Sequence, residues 1–266
     1  VKIIVVDDDT VYSHPGVVNL LKRIGHAEDA VVPLTRPQDL ATELDRHPDT
    51  ALVLVDMNFL NTSRTGLTAL RLLADRDGPP AVGFSAPEDD RLLYPYAACQ
   101  LLKRPPVGWV LKNVFDQAEL ERIVRQIAEG STPDPSMTLR QFLPSHQLTG
   151  KLVQSLLQDQ IDLTIWRMMS TRLHKDDEVA RKIFMHKKSV RNRYLRYRKA
   201  IEKLQLALSE MSRSGRASDG YMPHRWLEEW DPAGPDSAKL SGMIGTFARL
   251  NRGFFKAPEL DELVPQ

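Results

Sequence analysis

Residues 1–9 read VKIIVVDDD and residues 51–56 read ALVLVD. Each is a short aliphatic run closed by carboxylates. Neither alternates apolar with polar residues, as a strand with one wet face would. Strands buried on both faces belong in a parallel sheet covered by helices on each side. Working outward, similar short runs occupy 30–34, 81–84 and 108–111. Amphipathic stretches lie between the runs and after the last one, at about 11–24, 38–46, 66–74, 89–102 and 116–128. Five β-then-α units predict a doubly wound, five-stranded α/β domain over residues 1–128. Pro15 and Pro95 predict late starts or kinks in the first and fourth helices.

In such a sheet, ligands bind beyond the carboxyl ends of the strands. The first strand is followed by Asp7, Asp8 and Asp9, and the third by Asp56. Ser85 follows the fourth and Lys112 the fifth. Clustered carboxylates repel one another, and a hard divalent cation such as Mg²⁺ relieves that through oxygen ligands. An aspartate beside such an ion can accept a phosphoryl group. A hydroxyl and an ammonium then neutralise the phosphoryl oxygens.

The motifs VVDDD, LVD with Asp56, FSA with Ser85 and GWVLK with Lys112 make residues 1–128 resemble the receiver domain of two-component response regulators. The resemblance implies that Asp56 is the phosphoacceptor. It implies a weakly bound Mg²⁺ held by Asp7, Asp8, Asp56 and the backbone carbonyl of Asn58. Ser85, Lys112 and Trp109 become the switch residues. Two departures stand out: Asn113 replaces the proline that usually follows the lysine, and the loop MNFLNTSRTG after Asp56 is long.

Residues 129–147 carry three prolines among small polar residues and read as a linker. Charge then becomes uneven. Residues 165–205 hold 13 Lys and Arg against 4 Asp and Glu, a net +9 in a chain of net +1. Such a concentration points to phosphate backbones. Val190, Tyr194, Tyr197, Ile201 and Leu204 repeat at helical spacing and form a buried face. A shorter helix precedes this one, with a turn predicted at 185–188. The pattern predicts a helix-turn-helix DNA-binding domain over residues 148–211. Arg191 and Asn192 suit guanine and adenine edges. Lys187, Lys188, Arg193, Arg196 and Lys199 suit phosphates, and Ser189 either caps the helix or binds a phosphate.

Glu178-Val179-Ala180, with Ile183, His186, Ser189, Val190, Arg191 and Arg193 at the following spacings, resembles the LuxR-type helix-turn-helix of response regulators. The usual short fourth helix is not evident after Leu206. Residues 212–266 form a C-terminal extension with Trp226 and Trp230, expected to dock on the body or on a second subunit.

Composition narrows the remaining classes. Hydrophobic residues make up 42% and charged residues 27%, as in globular chains. No run approaches the ~20 apolar residues of a membrane span. One cysteine, Cys99, excludes an internal disulfide framework and predicts a cytoplasmic setting. It reads as a buried filler. Scattered histidines predict no zinc site. The combined expectation is a non-enzymatic transcriptional regulator that binds double-stranded DNA as a homodimer. A sensor histidine kinase would phosphorylate it, and RNA polymerase is a further possible partner. The alternatives are a phosphorylation-independent pseudo-receiver and an adaptor using the basic helix on the transcription machinery.

Overall fold

The computed structural model describes residues 2–10, 13–23, 25, 28–59, 62–85, 93–111, 117–131, 151–213 and 240–266. The chain divides into two compact units, residues 1–87 with 102–142 and residues 88–101 with 143–266.

The first unit is a parallel sheet built from β1 (Lys2–Val6), β2 (Val31–Leu34), β3 (Thr50–Val55), β4 (Ala81–Ser85) and β5 (Gly108–Leu111). Its spatial order is β2-β1-β3-β4-β5, so the winding reverses between β1 and β3. In register, Val6 lies beside Leu34 on one side and Val55 on the other. The helices are α1 (Ser13–Arg23), α2 (Leu40–Arg46), α3 (Gly66–Asp75) and α5 (Gln117–Ala128). Ile3, Val5, Leu52, Leu54, Val82, Phe84 and Val110 share a buried cluster with Val17, Leu20 and Leu21 of α1 and Leu120, Ile123 and Val124 of α5. Ile4, Val6, Val53 and Val55 point the other way by strand alternation and are also buried. Both faces are therefore covered, as the unbroken aliphatic runs require. Pro15 sits in the first turn of α1, where a missing N–H costs nothing.

The expected contiguous sheet domain over 1–128 needs correction. Helix α4 (Leu93–Leu101), between β4 and β5 in sequence, falls in the second unit. Its residues Leu93, Tyr94, Tyr96, Ala97 and Ala98 are all buried.

The second unit joins α4 to α6 (Leu152–Leu156), α7 (Gln160–Thr171), α8 (Asp176–Lys182), α9 (Lys187–Arg213), α10 (Leu240–Leu250), α11 (Arg252–Lys256) and α12 (Leu260–Leu263). The Val153 N–H donates to the Gln100 side-chain oxygen at 2.8 Å, fixing α6 against the end of α4. Trp166 stacks on Phe255 at 4.6 Å with rings nearly parallel and meets Tyr197 at 4.5 Å. Its indole N–H donates to the Leu156 carbonyl at 2.8 Å, so this large ring is buried without an orphaned donor. Tyr94 of α4 meets Phe254 edge-on at 5.3 Å. Arg167 closes the end of the chain through the carbonyls of Phe255 and Ala257 and the carboxylate of Asp261. The extension expected over 212–266 is thus split. Residues 240–264 complete this core, while Trp226 and Trp230 lie outside the described residues.

Candidate functional site

Among the described residues, two places carry chemistry, one in each unit. The first lies where the strand order reverses, at the ends of β1 and β3. Backbone pairing sets it: the Asp7 N–H donates to the Leu34 carbonyl at 2.8 Å, and the Asp56 N–H to the Val6 carbonyl at 2.9 Å. Each aspartate is therefore the last residue held by the ladder, at the edge of the sheet. The side chains are then oriented locally. Asp7 Oδ1 accepts the Asp9 N–H at 2.9 Å, and Asp56 Oδ1 accepts the Met57 N–H at 2.8 Å. Asp7 and Asp56 are buried, whereas Asp8 is half-buried. One oxygen from each of Asp7, Asp8 and Asp56 lies within 4.8 Å of the others.

Anionic groups this close and this buried are costly unless a cation joins them. Three carboxylate oxygens are a donor set suited to a hard divalent ion. Asn58 is exposed two residues beyond Asp56.

Gly66 at the start of α3 completes the arrangement. A Cβ there would lie 2.1 Å from the Asp56 carbonyl oxygen and 2.4 Å from the Met57 methyl. Only glycine lets α3 begin so close to the acidic strand end. The sequence reading passed over it; glycine at the close of the loop after Asp56 was the available signal.

Of the other expected switch residues, Ser85 ends β4. Trp109 is 2% exposed, with its indole lying across Gly83 of β4, where a Cβ would come within 2.3 Å of the ring. Lys112 and Asn113 lie outside the described residues.

The second place is the helix-turn-helix of α8 and α9. Its turn covers 183–186, two residues earlier than the spacing predicts, and α9 begins at Lys187. Ser189 therefore occupies the first turn of α9, half-buried, and the expected cap sits elsewhere: the His186 ring nitrogen accepts the Lys188 N–H at 3.2 Å. Lys187, Lys188, Arg191, Asn192, Leu195 and Lys199 are exposed. Positions 188, 191, 192, 195 and 199 fall on one stripe of a helix with 3.6 residues per turn. Lys187 is paired with Asp177 at 2.9 Å on the surface.

Arg193 and Arg196 require correction as phosphate contacts, because both reach inward. Arg193 forms ion pairs with Asp159 (2.9 Å) and Asp162; Arg196 pairs with Asp162 and donates to the Ser155 carbonyl at 3.1 Å. Asp162 is fully buried and also accepts the Tyr197 hydroxyl at 2.5 Å. Burial of Asp159 works against its charge, but the hydrogen bond from Arg193 and the neighbouring cations outweigh it and hold its carboxyl below the usual range. Burial, then the Asp162 charge, raises the Tyr197 hydroxyl pKa. This network locks α9 onto α7. Tyr194 and Tyr197 are core residues, as the helical spacing predicts. Cys99 on α4 is half-buried, and burial pushes its thiol up to about 12.

Among the described residues, no helix is long and apolar enough to cross a membrane. No family model matches the chain, and no curated protein matches it. Solved structures do resemble it. One, of two RcsB dimers bound to two parallel DNAs, is 14% identical with a TM-score of 0.50, covering 86% of this chain and 98% of its own. Another, the RcsB response regulator of Salmonella typhimurium, is 16% identical with a TM-score of 0.47, covering 85% and 98%. At such identities the likeness is one of fold. The chain shares with the first of these structures a fold in which a five-stranded parallel α/β sheet unit is combined with a helical unit.

Proposed function

We propose that this chain is a DNA-binding transcriptional regulator of response-regulator type, in which phosphorylation of Asp56 controls DNA binding through α9. The observation that carries this reading is the convergence of Asp7, Asp8 and Asp56 at the reversal point of the sheet. A carboxylate oxygen of Asp56 attacks the phosphorus of a donor, and the donor's bond to phosphorus breaks with its electron pair leaving on the donor. Mg²⁺, held by Asp7, Asp8 and Asp56 with the carbonyl of residue 58, would supply charge neutralisation at the phosphoryl group. The Met57 N–H orients the acceptor carboxylate throughout. Ser85 and Lys112 bind the phosphoryl oxygens in this reading, and Trp109 reports the change. The donor is a sensor histidine kinase or a small acyl phosphate.

Duplex DNA is the partner of α9, with Arg191 and Asn192 at base edges and Lys188 and Lys199 at phosphates. The solved structure of RcsB dimers on DNA supports both that partner and a homodimer as the binding form. The setting is the cytoplasm, and RNA polymerase is the downstream contact.

The test pairs phosphate-affinity electrophoresis with DNA-binding assays on the full chain. Wild type treated with acetyl phosphate and Mg²⁺ should shift, whereas Asp56→Asn should not, and the shifted form should bind DNA differently. An unmodified wild type with normal DNA binding would falsify the phospho-switch and favour a pseudo-receiver.

A further inference from the structure

Phe184 lies in the turn between α8 and α9. It is 96% exposed and has a φ of +54°. Its backbone role is clear. The Met185 N–H donates to the Ala180 carbonyl at 2.9 Å and the Phe184 N–H to the Arg181 carbonyl at 3.4 Å. This pair of bonds closes a helix with its first non-helical residue in the left-handed region, a position that favours glycine. A bulky aromatic there is strained by its own Cβ. Its ring also contributes nothing to the core, because nearly all of it faces solvent. The fold would be better served by glycine, so the side chain serves something other than the fold.

The surroundings say what that is. From residue 179 to residue 201 there are nine Lys and Arg and no Asp or Glu. Arg181, Lys182 and Lys188 flank the ring in sequence and are exposed, while Lys187 is paired with Asp177 at 2.9 Å. An apolar ring with the exposed cations Arg181, Lys182 and Lys188 near it in sequence, three residues before the helix that would enter a groove, fits a polyanion with apolar edges. Duplex DNA has both: phosphates, and sugar carbons with thymine methyl groups at the groove wall.

We propose that Phe184 is a DNA-contact residue whose ring packs against deoxyribose and thymine methyl groups beside the groove occupied by α9. This rests on the reading of α9 as a DNA-binding helix. The strain at Phe184 is retained because the contact is made only when DNA is bound. It also makes fold and function separable, because substitutions that relax the backbone remove the contact.

The experiment uses full-length protein and a duplex selected from a random pool by the wild type. Phe184→Gly and Phe184→Asn both accept the left-handed backbone, and Phe184→Leu keeps an apolar side chain. Thermal unfolding of Phe184→Gly should begin no lower than that of wild type. Its affinity for the selected duplex should fall about tenfold, a value set by the burial of a large apolar side chain. Phe184→Asn should behave alike, and Phe184→Leu should recover most of the loss. Replacing a contacted thymine by deoxyuridine removes one methyl and should weaken wild type about fourfold while leaving Phe184→Gly unaffected. If Phe184→Gly binds the selected duplex as tightly as wild type, the proposal is overturned and the DNA-binding reading stands. If wild type binds no duplex at low salt, both fall.

Discussion

Asp162→Ala measures how far the helical unit depends on one buried carboxylate. That side chain is fully buried and accepts hydrogen bonds from Arg193, Arg196, the Tyr197 hydroxyl and the Gln158 N–H. Breaking a buried ion pair by removing one partner costs ~3–5 kcal/mol. Two facts pull toward the lower figure. Arg193 keeps its pairing with Asp159, and the Arg193 and Arg196 side chains are 15% and 27% exposed, so water recovers part of the stranded charge. One fact pulls upward: the buried Tyr197 hydroxyl loses its acceptor, worth ~1–3 kcal/mol. The balance is a loss of about 4 kcal/mol. At ~2–4 °C per kcal/mol for a unit of this size, the helical unit should melt ~10 °C lower. Circular dichroism melts and urea unfolding of the full chain read this directly. Tyr197→Phe serves as the control for the hydroxyl alone and should cost ~1 kcal/mol. If Asp162→Ala melts within ~2 °C of wild type, the network is a surface arrangement, and Arg193 and Arg196 return to the pool of DNA contacts.

Phe255→Ala removes the ring stacked on Trp166 and should cost ~3–5 kcal/mol in urea unfolding; a loss under ~1 kcal/mol would mean that the C-terminal helices are not core. Gly83→Ala drives a methyl into the Trp109 indole and should cost ~1–3 kcal/mol with a changed near-UV spectrum; an unchanged spectrum would contradict the ring's placement. Asp7→Asn relieves carboxylate repulsion, so in chelator its melting point should rise above that of wild type, while Mg²⁺ should stabilise the wild type more than the variant; equal Mg²⁺ responses would exclude Asp7 as a ligand. Asp159 has a folded pKa held below its unfolded value, so its contribution is present above that unfolded value and lost as pH falls through the folded one. Asp159→Asn should therefore flatten the acid limb of stability against pH, and an identical acid limb would show that Asp159 does not contribute.

The sheet was legible because its signals are local. Five aliphatic runs without alternation mark strands covered on both faces, and the positions directly after them mark one edge. The acidic triad followed from that rule alone, since Asp7 and Asp56 are simply the residues where the ladder stops. Arg193 and Arg196 were not legible in the same way. Periodicity set them apart from the buried stripe but carried no sign of Asp159 and Asp162, more than thirty residues upstream. Nor does composition say what an apolar helix is buried against. LYPYAACQL reads as buried, but its partners Val153 and Phe254 lie far along the chain. Phe184 was hidden because a left-handed helix end normally announces itself with glycine.

The placement of α4 has a consequence for how the protein comes into being. Leaving the ribosome, the chain completes β4, then emits Leu93–Leu101, and only afterwards the strand that finishes the sheet. The helix then waits with Tyr94 and Tyr96 uncovered until α6 and, much later, Phe254 have been made. A fragment from 148 to 211 lacks the rings of Tyr94, Phe254 and Phe255 that complete the core of this unit and should be less stable than the full chain. A fragment from 1 to 128 carries an apolar helix with nothing to sit on. Fragments cut at 128 or 148 should therefore expose apolar surface that the full chain buries, and a nascent chain stalled before Phe254 should be a client for chaperones that hold apolar surfaces.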